Sequence, residues 1–120
     1  MYIKRNSDIP EIIGHEGSKI KNYFDPVCTD NRIQFSIAHF MIQKGKRTLR
    51  HKMKSSEVYY ILGGIGILKI DEKSFTVKKD DSVFVPPMSE QSIENIGDGD
   101  LRFLCIVDPA WNQDSEIVLE

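Results

Sequence analysis

The sequence predicts an all-β fold, an antiparallel sandwich or barrel, from three observations. Seven or more short runs are rich in β-formers with period-two patterning, turn residues recur every 6–10 positions, and no window of useful length has helical amphipathicity. Strands this short with two partly apolar faces would leave exposed edges unless the sheets wrap on one another.

The elements follow in order. Residues 1–31 read as an irregular lead-in punctuated by Pro10, Gly14, Gly17 and Pro26, with a short strand fitting Ile20–Phe24 as an edge. Arg32 to Gln43 alternates, placing Ile33, Phe35, Ile37, His39 and Met41 on one face and Gln34, Ser36, Ala38, Phe40 and Ile42 on the other. Leu49–Met53, Glu57–Ile61 and Gly66–Ile70 follow, separated by Ser55-Ser56 and Gly63-Gly64. Asp71-Glu72-Lys73 makes a tight hairpin into Ser74–Val77, and Lys79-Asp80-Asp81 turns into Ser82–Val85, which Pro86-Pro87 closes. Gln91–Ile96 and Leu101–Val107 complete a barrel spanning residues 32–107. Residues 108–120 read as a tail extended over the surface.

Composition excludes several classes. The chain has 120 residues, enough to bury a core without disulfide staples. Sixteen basic and eighteen acidic residues leave a net charge of −2, which argues against nucleic acid as a partner. No apolar run is long enough for a membrane span, and Lys4, Arg5 and Asp8 interrupt any signal-like block at the start. Cys28 and Cys105 lack Cys-x-x-Cys spacing and read as reduced thiols of a cytoplasmic protein.

One constellation is more specific than strand content. Gly45 is followed by five residues, His51-Lys52-Met53, three residues, Glu57, six residues and Gly64. Further on stand Asp80, five residues, Pro86, then Met88, Gln91 and Asn95. This pattern resembles the two motifs of the cupin superfamily, and among its members the small single-domain, mannose-6-phosphate-isomerase-like type. The resemblance covers about residues 32–107 and implies a double-stranded β-helix, or jelly-roll barrel, with one divalent metal held inside by histidines and a glutamate. His51 and Glu57 match that ligand set directly. Met53 and Gln91 stand where the family has histidines, and Asp80 and Met88 where it has glycines. Carried over residue by residue, the metal ligands would be His51, Glu57 and the Gln91 carbonyl, with Met53 a soft thioether beside them.

Other side chains are candidates for the same interior. His39 would supply an extra imidazole, or serve as a hydrogen-bonded core histidine. Tyr59, two residues after Glu57, points the same way and would transfer a proton or line the barrel. Cys105 shares a face with Phe103 and would lie beside the metal or act as a small core hydrophobe. The functions implied are a pocket for a divalent metal or small polar ligand, with sugar or sugar-phosphate isomerisation by Glu57 or Tyr59. A non-catalytic binding module and a metal-dependent dioxygenase are the alternatives. A homodimer is expected, since small cupins commonly pair.

Weaker signals have plain readings. Gly63-Gly64-Ile65-Gly66 lies between strands with no helix to follow, so it is a turn. Lys44, Lys46, Arg47, Arg50, Lys52 and Lys54 make a solvated face, or flank a pocket mouth that attracts anions. His15 reads as surface, and Asp80-Asp81 is only superficially like a calcium pair.

Overall fold

The computed structural model describes residues 2–14 and 18–120, and His15 lies outside them. Eleven strands form two antiparallel sheets: β1 (Ile12–Ile13), β2 (Ser18–Phe24), β3 (Ser36–Ile42), β4 (His51–Met53), β5 (Ser56–Gly63), β6 (Ile65–Ile70), β7 (Lys73–Lys78), β8 (Ser82–Val85), β9 (Gln91–Asn95), β10 (Leu101–Asp108) and β11 (Glu116–Val118). The six-stranded sheet runs β1-β2-β3-β10-β5-β8 and the five-stranded sheet β11-β4-β9-β6-β7. Among the described residues there is no α-helix, and so none long and apolar enough to cross a membrane.

The strands sit where the β-rich runs placed them, apart from the short β1 within the expected lead-in and two larger differences. The strand expected from Arg32 begins only at Ser36, because residues 25–32 fold into a turn in which Asp30 and Asn31 are left-handed. The tail does not merely drape over the surface. Asn112 caps a single 3-10 turn over Gln113–Ser115, accepting from the Ser115 amide, and the chain then pairs as β11 with β4. The Glu120 carboxylate fastens this end by accepting two hydrogen bonds from the Arg47 guanidinium, both at 2.8 Å, and these bonds hold its pKa down to about 2.

The turns explain why the motif spacing survives while some of its residues do not. Gly45 and Gly64 have φ of 77° and 88°, and Asp80 and Met88 occupy the same left-handed region at 72° and 66°. All four positions are places where glycine is the least strained residue. Asp80 tolerates the conformation as aspartates do in turns. The motif's Asn95 is also structural. Its buried amide donates to the carbonyls of Ile42 and Gly99 at 2.9 and 2.8 Å and accepts from the Gly97 amide at 2.9 Å.

The barrel changes character along its length. At one end Ile42, Ile61, Leu68, Ile93, Leu101 and Phe103 fill the space between the sheets. Towards the other end the inward positions of the same strands become smaller or polar: Ser36 and Ala38 on β3, Glu57 and Tyr59 on β5, Cys105 on β10. Less side-chain volume per layer leaves that end open.

Candidate functional site

The open end is a hollow of about 440 Å³. That size suits a small organic molecule, since ligand pockets run from roughly 300 to 1,000 Å³. Three strands build its floor. On β4, His51 and Met53 are two residues apart and both point inward. On β5, Glu57 and Tyr59 do the same, and β10 adds Cys105 between them in register, opposite Tyr59. Ile20 and Phe40 supply apolar wall from β2 and β3, and the half-exposed Trp111 stands among the lining residues.

His51 Nδ1 lies 2.7 Å from the carbonyl oxygen of Leu49. That oxygen can only accept, so Nδ1 donates to it, and Nε2 faces Glu116 Oε1 at 3.8 Å. Glu57 is 5% exposed, and its Oε1 is buried with no hydrogen-bond partner. Burial pushes its carboxyl above the usual range. Hydrogen bonds from Cys105 and Gln91 and the nearby His51 pull it part of the way back, and Glu116 raises it again. Burial, then Glu57, pushes the Cys105 thiol well up, so it stays protonated. Tyr59 is also pushed well up by burial and the charges around it, Glu57 first.

A stability effect with a definite sign follows for Glu57. Its folded pKa lies above the unfolded value of 4.5, so the native state binds more protons than the unfolded chain between those two values. Its contribution is most favourable below pH 4.5 and is lost as pH rises towards the folded pKa. Glu57→Gln is therefore expected to raise Tm by a few degrees at pH 7 and to flatten the pH dependence above pH 4.5. Thermal melts of both proteins from pH 4 to 8 check this; an unchanged slope would mean the carboxyl is not buried.

The sequence candidates divide. His51, Met53, Glu57, Tyr59 and Cys105 converge on the hollow. His39 does not. It is on the outer face of β3, where it stacks on Tyr23 with ring centroids 6.2 Å apart and accepts a hydrogen bond from Arg102 Nε at 3.2 Å. Burial first, and then Arg102 and Lys21, lower its pKa, so it remains a neutral acceptor. Gln91 is buried but does not line the hollow, because its Oε1 accepts the Tyr59 hydroxyl proton at 2.5 Å. The same bond occupies Tyr59 as a donor. The basic cluster does not guard the mouth. None of its six residues lines the hollow, and Lys44, Arg47 and Arg50 reach Asp98, Glu120 and Glu90.

Sequence reasoning missed Glu116. Pairing with Met53 across β4 carries it into the hollow, with Oε1 3.8 Å from His51 Nε2. Two signals pointed to it: the Asn112-x-x-Ser115 capping pair and the β-forming Glu116-Ile117-Val118 that follows.

Residues 38–107 match the family model described as the cupin domain. The chain belongs to the cupin family. An uncharacterized protein of Methanocaldococcus jannaschii is 35% identical to this cupin over 113 residues, covering 93% of this chain and 90% of that one. An oxalate-binding protein of Thermotoga maritima is 34% identical over 71 residues, 58% of this chain and 59% of that protein. Among solved structures, a predicted oxalate decarboxylase from Thermotoga maritima superposes with a TM-score of 0.76 at 26% identity, covering 88% of this chain and 96% of that chain.

This cupin's own donors differ from the metal-holding set that the motif resemblance implies. Gln91 Oε1 is taken by Tyr59, Met53 replaces an imidazole, and His51 is the one described histidine that faces the hollow. Among the described residues no three His, Cys, Asp or Glu side chains come together to hold a metal ion. First-row metals need three or four good donors, and this set does not fit one.

Proposed function

We propose that this cupin is a small-molecule binding protein whose ligand sits in the barrel hollow against His51 and Glu57. The observation that carries this is Glu57, a lining residue of the hollow whose buried carboxylate has an unpartnered Oε1. A buried carboxylate oxygen without a donor is costly, and a ligand that supplies the donor removes that cost. The sugar-phosphate isomerase reading finds no support in the site, since no lysine or arginine among the described lining residues faces a phosphate. Tyr59, tied to Gln91, is a poor proton shuttle, which leaves Glu57 as the group able to exchange a proton with a bound molecule. Two free cysteines favour a reducing, cytoplasmic setting.

Benzyl alcohol is a suitable probe, with a ring for the apolar wall and a hydroxyl for Glu57. Its titration is expected to shift the amide resonances of Phe40, Met53 and Cys105 in a saturable way. Ala38→Trp, which fills the hollow from β3, is expected to abolish those shifts. A wild-type spectrum that stays unchanged would remove the binding role.

A homodimer through the outer face of the six-stranded sheet accompanies this reading. Its support is an apolar row in register across five strands: Phe24, Ile37, Ile106, Val58 and Phe84. Phe84 is 58% exposed, and the same row on a second copy would cover it about a two-fold axis. Light scattering at micromolar concentration is expected to give a dimer mass, halved by Phe84→Glu; a monomeric wild type would dismiss the pairing.

A further inference from the structure

The lining of the hollow is acidic. Asp25, Glu57 and Glu116 line it together with His51, and its described lining includes no lysine or arginine. Glu57 stands among the lining residues, buried, with its Oε1 lacking a hydrogen-bond partner. A further negative charge brought beside one of these carboxylates is repelled. An anionic ligand would bring that charge and no donor.

The geometry points to an organic ammonium ion, a protonated amine on an apolar body, as the ligand class of this hollow. This rests on the hollow being a binding site, as proposed above, and adds the sign of the ligand's charge. An ammonium group carries three donors and no acceptor, which suits an acid-lined hollow holding an unpartnered carboxylate. Its charge offsets that of a buried Glu57 carboxylate, the condition under which a buried ion is tolerated. Its apolar body meets Ile20, Phe40, Met53 and Val107, and the aromatic residues Phe40 and Trp111 in the lining favour a cation nearby.

The experiment uses the full chain, freed of metal with EDTA, and three probes: benzylammonium, benzyl alcohol and oxalate. Calorimetry at pH 7.5 is expected to show benzylammonium binding at least tenfold more tightly than benzyl alcohol, with no binding of oxalate. In Glu57→Gln, shown to be folded by its melting curve, the advantage of benzylammonium over benzyl alcohol should disappear. Glu57→Asp, which keeps the charge, should retain part of it. Equal affinities for the two benzyl probes, oxalate binding without metal, or a benzylammonium affinity indifferent to Glu57→Gln would each overturn the ammonium assignment and leave the hollow a binding site. Silence from both benzyl probes would instead sink the binding site, and the ligand class with it.

Discussion

Replacing Phe103 by alanine is expected to cost about 3–5 kcal/mol of folding stability. Phe103 is 1% exposed on β10, between the packed end of the barrel and the hollow. Its ring lies nearly parallel to Phe40 at 5.4 Å and tilted against Tyr59 at 5.2 Å, and both of those residues line the hollow. Truncation removes the transfer energy of the ring and leaves a void that two opposed sheets cannot close. It also frees the aromatic wall to move. A urea titration should show a lower midpoint at unchanged slope, together with weaker benzyl alcohol binding. Phe103→Leu, which keeps most of the volume, should lose far less. A loss below about 1 kcal/mol for the alanine variant would place Phe103 outside the core, since that is a typical value for ordinary substitutions.

Gly64→Ala is expected to cost about 2–4 kcal/mol, from left-handed strain and a backbone clash acting together. Gly64 is the single residue at which the chain leaves β5 in one sheet and enters β6 in the other. Its φ is 88°, and an added Cβ would stand 2.6 Å from the Asp100 carbonyl oxygen and 2.8 Å from Leu101 Cα. Neither is the flexible end of a side chain, so the corner itself must shift. The neighbouring glycine supplies the control. Gly63 has no positive φ and nothing within 4 Å of a Cβ, so Gly63→Ala should change stability by less than about 0.5 kcal/mol. Paired thermal melts separate the two; similar Tm values would show that the corner is not held by Gly64.

The contrast between these glycines shows how the motif was legible. Its spacing records backbone geometry. Left-handed turns at 45, 64, 80 and 88 and the amide lock of Asn95 hold the strands at fixed distances, so the pattern survives even with Asp80 and Met88 in two of the turns. Glu57, Tyr59 and Cys105 were equally legible, because alternation along β5 and β10 puts polar and apolar residues on opposite sides of a strand whose buried face is known. His39 was not. Its strand is apolar on both sides, with Ile37 and Met41 outward and Phe40 and Ile42 inward, so the alternation carries no label for the interior. Gln91 was placed in the right layer, but only the Tyr59 bond reveals where its carbonyl is engaged.

Residue order along the chain was enough to specify the barrel, its turns and the inward placement of His51 and Glu57, since periodicity and backbone sterics act between near neighbours. The acidity of the hollow came from elsewhere. Glu116 lies 59 positions after Glu57 (116 − 57) and reaches the same space only because β11 adds to the free edge of β4. The Glu116 carboxylate beside His51 and the stranded oxygen of Glu57 likewise depend on which distant groups arrive as partners, and that is settled by how the sheets close.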